Sequence, residues 1–525
     1  MLIKFLKLNK KILINYKSKK KIALVNRERP MSVLQGSIIV SAIANKKKFE
    51  TIIITDKLYN DLHNVFKSFG FLNFFIVSGL KNYLLNIKIT IYSILKTLIA
   101  IFNISIFGFT NFINNFSVKN ILLGDLIYDS YIRYDKKFLN PKIEIKLIKI
   151  LFFSIFKVFR LDNFFKKNDI KYLFVQADCY ANNETISTRI ALKNQTKVFK
   201  INTFGRIFLT EAKNYQIFEG YMPLRRYISP NKINKIISIS DQKLIKFFER
   251  RFIGDLKSTY TNPVDLKNAN NKISNYTKKS LIKKLFNNQN NYKKIILFAP
   301  HAFADSPHHF GINYIFRDYY EQFTETMNFI NENNTENILW LIRPHPSSKI
   351  YGEEEIVKSY IGSGNNNVKL CDNKLIGTKN LIEICDTVVT GRGTVGLEFA
   401  CFGKKPIVAG SSTYSKFGIN IECKNKKNYF KILNEINQIK PLNKKQINLA
   451  QKILYYIEMV YPKNISKYSG KYILKKNNKS VLNLLNNTYS QKKSFFNNNF
   501  LRSLKNKSFD QDELYKFYRK NSKYI

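Results

Sequence analysis

The chain is short of cysteine, of acidic residues and of histidine, and each shortage excludes something. Its five cysteines, Cys179, Cys371, Cys385, Cys401 and Cys423, are odd in number and contain no CxxC pair. No disulfide framework or zinc spacing can be built from them, and a reducing, cytoplasmic setting is expected. The first residues, Met1 to Lys7, are basic but lack a long apolar core and a small-residue cleavage site, so no signal peptide is expected. No internal repeat is evident. Asp and Glu together number 37 against 87 Lys and Arg, a formal net charge of +50. The excess is scattered Lys among abundant Asn, Ile, Phe and Tyr rather than an Arg-rich stripe. It reads as A/T codon bias, and no nucleic acid is expected as partner. Such a charge still favours anionic substrates and anionic surfaces, among them the inner face of a bacterial membrane.

What is present is length and an alternating pattern. At 525 residues with 45% hydrophobic content, two or more cores are expected. Apolar β-branched runs at 21–25, 51–56, 172–178, 197–202 and 235–240 alternate with helix-like stretches at 31–44 and near 185–193 and with a helix from Asp241. The pattern resumes at 294–300, 338–342, 368–370, 387–390 and 406–409, with a helix at 443–461. Strand, loop, helix, strand is the grammar of a parallel sheet of Rossmann type. The expected division is an N-terminal Rossmann-like acceptor domain over 1–253 with apolar and basic helices, and an Asn/Lys/Ser-rich linker over 254–291. A C-terminal Rossmann-like donor domain follows over 292–475, ending in a helical segment. A flexible Asn/Lys-rich tail with a short helix near 510–519 completes the chain over 476–525. The run from Ile87 to Phe109 approaches spanning length but is interrupted by Lys88, Lys96 and Asn103. A buried helix is the favoured reading, with a helix on a membrane surface and a spanning helix behind it.

Chemistry concentrates in two phrases. Gly391-Arg-Gly-Thr-Val-Gly396 follows a predicted strand and precedes a predicted helix. It has the form of a dinucleotide fingerprint. It stands late in its domain, however, and no acidic residue ends the following strand to hold a ribose hydroxyl. The physics of the turn survives the loss of that label. Gly391 and Gly393 let backbone N–H groups approach a phosphate, Thr390 and Thr394 can donate hydroxyls, and the helix N-terminus favours an anion. Glu398, on the first turns of that helix, is placed for ribose hydroxyls. Upstream, Arg343-Pro-His-Pro346 ends an apolar run. Its two prolines forbid regular structure where a strand should stop, and fix Arg343 and His345 at the sheet's carboxyl edge.

Four of the five histidines, His301, His308, His309 and His345, follow predicted strand ends. His301 is a candidate for proton transfer or for binding an anionic substrate. The spacing of His301, Asp305, His308 and His309 matches no metal motif, and no metal is expected. Glu28, Asp178, Asp125 and Asp129 are candidate bases for an acceptor hydroxyl, Glu28 and Asp178 being preferred beside His301.

The phrases Arg343–Pro346, Asp386–Glu398 and Gly403-Lys-Lys-Pro406 together resemble the bacterial capsule polysaccharide biosynthesis proteins, a family that includes transferases of 3-deoxy-manno-octulosonate (Kdo). Related phrasing occurs in CDP-glycerol polymer synthases and UDP-N-acetylglucosamine 2-epimerases. The match covers mainly 292–425, with weaker echoes at Pro300–Asp305 and Gly124–Asp129. The resemblance implies an α/β chain of GT-B type, two Rossmann domains facing a cleft. It implies a glycosyltransferase with no bound cofactor that takes a nucleotide sugar, CMP-Kdo or a UDP-sugar, to a glycan or lipid-linked acceptor at the inner membrane face. Arg343 and His345 would contact the donor phosphate, Thr390, Gly391, Gly393 and Thr394 the phosphates, and Glu398 the ribose. The chain departs from the family by carrying Arg392 between two glycines, and whether it adds a charge to the donor site or points to solvent is open. A nucleotide-sugar 2-epimerase and a non-catalytic polysaccharide-binding or export-coupling protein are the alternatives.

Overall fold

The computed structural model describes residues 16–457, except 27–29, 57–59, 134–135, 177–178, 203–207, 213–240, 254–277, 287–291, 309–313, 334–336, 350, 362–365 and 372–375. Two units divide the chain. One holds residues 1–131, 143–225 and 462–525, and the other holds 132–142 and 226–461.

In the first unit the strands are β1 (Lys20–Val25), β2 (Glu50–Thr55), β3 (Asn73–Ile76), a two-stranded hairpin of β4 (Ser117–Val118) and β5 (Ile121–Leu122), then β6 (Asp169–Val175), β7 (Lys197–Asn202) and β8 (Phe208–Ala212). The main sheet runs β3-β2-β1-β6-β7-β8, parallel throughout except for the last pair. Ile22 to Val25 and Ile52 to Ile54 are buried on both faces, which is why they read as continuous apolar runs rather than alternating ones. The helix Asn183–Lys193 covers β6 and β7; Asn182 caps it, accepting from the Thr185 N–H at 2.8 Å.

In the second unit the strands are β9 (Lys294–Ala299), β10 (Ile338–Ile342), β11 (Val368–Leu370), β12 (Thr387–Thr390), β13 (Ile407–Val408) and β14 (Ile421–Glu422). Their order is β11-β10-β9-β12-β13-β14, all parallel. Both sheets therefore have the 3-2-1-4-5-6 order of a Rossmann fold, and the α/β reading of the sequence holds in each. The chain leaves β9 toward one side of the sheet and returns to the other side at β12. The boundary between those two strands is the topological switch point, where open sheets of this kind bind ligands outside their carboxyl ends.

Three expectations need correction. The linker 254–291 contains a helix, Lys278–Phe286, whose Ile282 and Phe286 join Ile295, Leu339, Leu381 and Phe399 in the core of the second unit. The helix Asp241–Ile253, assigned to the first half by its place in the chain, belongs to the second unit: Phe247 packs on Tyr455 and Phe248 on Phe402. The helix Ile87–Asn115, expected to be buried, exposes most of its apolar side chains, including Leu98 and Phe102. The expected strand at 235–240 and the expected tail at 476–525 lie outside the described residues.

Candidate functional site

Three neighbouring strands of the second sheet deliver the candidate residues. Pairing continues one step past β10, where the Arg343 N–H donates to Phe298 O at 2.9 Å. Pro344 and Pro346 then stop the ladder. The chain turns at once, with the Ser348 N–H donating to His345 O at 2.9 Å, and this turn carries His345 back over the loop that follows β9. There the His345 ring stacks on His301, centroids 4.6 Å apart, and His301 stacks on Tyr319 at 4.4 Å. Tyr319 begins the helix Tyr319–Glu332, capped by Asp318, whose carboxylate accepts from the Glu321 N–H at 2.8 Å. The two histidines that sequence spacing put at separate strand ends thus form one ring stack.

The environment fixes their protonation. His345 Nδ1 accepts from the Ser347 N–H at 3.1 Å, so the proton of the neutral ring lies on Nε2. Burial, and secondarily the neighbouring His301, push His345 down to about 3, against the pull of Asp305. His301 is also lowered, first by burial, with the buried Arg392 cation adding to the effect while Asp305 opposes it. Its Nδ1 is buried with no hydrogen-bond partner of good geometry; Asp305 Oδ2 is 3.9 Å away. Burial works against the charge of Asp305, but His301 and the Ser306 N–H, which donates at 2.9 Å, hold its carboxyl below the usual range. Glu353 is fully buried; burial raises its carboxyl, although one oxygen accepts from the Ala304 N–H at 2.8 Å.

A neutral, half-buried imidazole makes stability depend on pH. Between about 6.5, the free imidazole value, and about 3, the unfolded chain binds a proton that the folded His345 does not. The unfolded state therefore gains as pH falls through that window, and stability is lost toward acid. His345→Gln removes this term, so its urea midpoint is expected to fall less than that of the unchanged chain between neutral and mildly acidic buffer. Parallel curves for the two would contradict the neutral ring.

The glycine turn after β12 closes the other side of the switch point. Thr390 Oγ1 donates to Ala299 O at 2.9 Å, so its hydroxyl proton ties β12 to β9 and is not available to a phosphate, a correction to its expected role. A Cβ on Gly391 would meet Gln322 Oε1 at 3.0 Å, the Tyr314 hydroxyl at 3.1 Å and the Tyr319 ring at 3.1 Å, so only glycine lies this close to the ring stack. Gly393 stands at the N-cap of the helix Thr394–Ala400 with no side-chain cap, and Thr394 is exposed. Glu398 is half-buried one turn further along that helix, beside the Tyr414 hydroxyl.

Arg392 does not point to solvent. It is 6% exposed, its Nη1 donates to Pro307 O at 3.0 Å, and its guanidinium lies 4.9 Å over the Tyr314 ring. Its fixed charge is buried against the loop that carries His301 and braces that loop against the turn.

Of the remaining candidates, Asp125 is held by Arg189 in the first unit and Asp129 is buried there. Glu28, Asp178 and His309 lie outside the described residues. Among the described residues no three His, Cys, Asp or Glu side chains converge as metal ligands. Sequence reading missed Tyr314, Tyr319, Gln322 and Glu353, which reach the site from a loop and two helices and carry no local signature.

No family model matches the chain, and no curated protein matches it. Among solved structures it is similar to the KpsC β-Kdo 2,4 transferase of Thermosulfurimonas dismutans, at 12% identity and a TM-score of 0.30, covering 54% of this chain and 88% of that one. It is also similar to the UDP-GlcNAc 2-epimerase of Methanocaldococcus jannaschii in complex with UDP-GlcNAc and UDP, at 13% identity and a TM-score of 0.26, covering 83% and 99%. The UDP-GlcNAc 2-epimerase of Neisseria meningitidis bound to UDP-GlcNAc gives 11% identity and a TM-score of 0.26, covering 83% and 98%. Likenesses at these TM-scores assign no reaction.

Proposed function

We propose that this chain is a glycosyltransferase of GT-B type that takes a nucleotide-activated sugar and passes the sugar to a growing capsule or surface polysaccharide. One observation carries the reading. The switch point of the second sheet is flanked by the glycine turn after β12, which opens the helix Thr394–Ala400, and by the stacked His301 and His345 from the ends of β9 and β10. The resemblance of Arg343–Pro346 and Asp386–Glu398 to capsule polysaccharide proteins supplies the substrate class.

In this proposal the backbone at Gly391 to Thr394 and the Arg343 guanidinium take the donor phosphates. The Nε2–H of His345 donates to the same anion as a neutral group, which suits a pocket that already buries the Arg392 charge. Glu398 takes the ribose. His301 is the proton-handling group of this half, and Glu28 and Asp178 are the proposed bases toward the acceptor. A nucleotide-sugar 2-epimerase is a second reading, favoured by two carboxylates near His301: Asp305 on the same loop, and Glu353, which stands at the N-cap of the helix Glu354–Tyr360 and accepts from the Ala304 N–H, acids that such chemistry needs close to the sugar.

The test is to titrate the purified chain with a panel of nucleotides and nucleotide sugars by calorimetry, and to follow products with and without a lipid-linked glycan. His345→Ala is expected to weaken nucleotide binding by about ten- to a hundred-fold, the loss of one hydrogen bond to a charged group. Unchanged affinity in that variant refutes the site. Turnover only with acceptor supports transfer, and isomerisation of the donor alone gives the epimerase.

A further inference from the structure

The longest described helix of the first unit has an apolar face that no described residue covers. Ile87–Asn115 buries Ser93, Thr97, Ala100 and Ile104, which recur at steps of four and three and form one stripe. Its first three residues are small, and the helix packs against Ile145–Lys167, with Tyr92 stacking on Phe159. The opposite stripe is Ile91, Leu95, Leu98, Phe102 and Ile106, and all five are exposed, Phe102 by 62%. Between Ile91 and Phe102 amphipathicity is thus inverted, with the larger apolar side chains facing outward; toward the C-terminal end Ile104, Phe112 and Ile113 are buried. The preceding helix, Leu80–Leu85, extends the surface, with Leu84 and Leu85 at 64% and 70% exposure and Tyr83 stacked on Phe153. Monomeric soluble proteins rarely leave an apolar surface this continuous.

Charge identifies the occupant. No acidic residue occurs in the chain between Asp61 and Asp125, whereas Lys81, Lys88 and Lys96 are exposed on and beside the apolar surface. A protein partner for a face of this kind needs no such one-sided charge. An anionic bilayer does: phosphate headgroups meet the ammonium groups while the Leu, Ile and Phe side chains enter the acyl boundary. Among the described residues this is the one helix with the length and hydropathy to span, yet its geometry argues against spanning. One of its sides lies along Ile145–Lys167, both of its ends lead back into the same unit, and the backbone kinks at Gly108, where φ is 74° and ψ 173°.

We infer that Ile87–Asn115, with Leu80–Leu85, is an interfacial anchor that lies in the plane of an anionic membrane surface through Leu98, Phe102 and their neighbours. The inference is independent of the sugar reading, because every residue in it belongs to the first unit.

The full chain is tested by flotation with vesicles of phosphatidylglycerol and phosphatidylethanolamine, and with vesicles of phosphatidylcholine alone. Substitutions that leave the net charge untouched separate insertion from the general attraction of a basic protein. Leu98→Gln and Phe102→Gln are each expected to lower partitioning by about ten-fold, and Phe102→Trp should show a blue-shifted emission that appears only with the anionic vesicles. Trp340, the one native tryptophan, is buried in β10 and supplies a constant background. Circular dichroism checks that the variants are folded. Equal partitioning of the Gln variants with the unchanged chain, or an emission from the Phe102→Trp variant that does not move, overturns the anchor. So does protein that stays in the membrane through an alkaline wash, which indicates a span. A dimer that the Gln variants dissociate, in a chain that ignores vesicles, assigns the face to a second copy and also overturns it.

Discussion

Replacing Arg189 by methionine is expected to cost about 3–5 kcal/mol of first-unit stability, the penalty for leaving a buried carboxylate without its partner. Arg189 is 2% exposed, in the middle of the helix Asn183–Lys193. Its fork meets Asp125 twice, Nη1 to Oδ1 at 2.8 Å and Nη2 to Oδ2 at 2.6 Å, and Nη1 also donates to Leu122 O at 2.6 Å. The pair therefore locks that helix to the hairpin β4–β5 and to the start of the helix Gly124–Ile132. Asp125 is 1% exposed, so a methionine in place of Arg189 strands a charge that water cannot reach. Asp125→Asn should be damaging for the converse reason.

The double variant Asp125→Leu with Arg189→Met should cost clearly less than the two single changes added together, since it removes both buried charges at once. Two units make a single global unfolding energy ill-defined. Hydrogen exchange at residues 121–132 and 183–193 is the proper readout, and Trp340 fluorescence, which reports the second unit, should move little. A loss below about 1 kcal/mol would place this pair with exposed ion pairs instead. Asp125 also leaves the list of candidate bases on this account, because its two oxygens are engaged by one guanidinium.

How much of this was legible in the sequence depends on the range of the interaction. The strands at 197–202, 338–342, 368–370 and 387–390 stand where their apolar runs put them, and β1, β2, β6, β9 and β13 differ by at most a few residues. Except for the edge strand β11, these are strands inside their sheets, and burial on both faces writes itself into composition. The missed strands are β3, β8, β14 and the hairpin, which lie at sheet edges or outside the main sheets; β3 and β14 contain no fully buried residue to leave a pattern.

In the candidate site, His301, His345 and the Gly391–Thr394 turn were visible because prolines and glycines punctuate strand ends. The roles of Thr390 and Arg392 were not. Each depends on an acceptor brought in from far along the chain, Ala299 O and Pro307 O respectively. The helix Ile87–Asn115 shows the same limit from another side. A run of Leu, Ile and Phe looks the same whether it faces a core or a lipid, and which of its faces is covered is decided by the helix beside it.

The third glycine of the turn carries the other large expected effect. Gly396→Ala should destabilise the second unit by about 2–3 kcal/mol, at the severe end of overpacking. A Cβ at this position would run directly into the Tyr414 hydroxyl and lie 3.3 Å from Pro406 Cβ. Tyr414 cannot step aside without loss. Its side chain is fully buried, and its hydroxyl donates to Gly393 O at 2.8 Å, holding closed the turn that begins the helix Thr394–Ala400. Moving it removes one of the two hydrogen bonds that Gly393 O accepts, the other coming from the Gly396 N–H at 3.2 Å, and shifts Gly393, so nucleotide affinity should fall along with stability.

The clash has a specific remedy. Tyr414→Phe removes the offending oxygen at the cost of one hydrogen bond, about 1 kcal/mol. In the background of Tyr414→Phe, Gly396→Ala should cost markedly less than it does alone, a coupling that a double-mutant cycle on thermal midpoints would expose. If the two changes add without coupling, the glycine is there for its backbone and not for its tyrosine. The phrase that looks like a dinucleotide fingerprint thus ends in a glycine with a separate physical reason. In the fingerprint the third glycine admits a close strand, whereas here it admits the hydroxyl that shapes the turn.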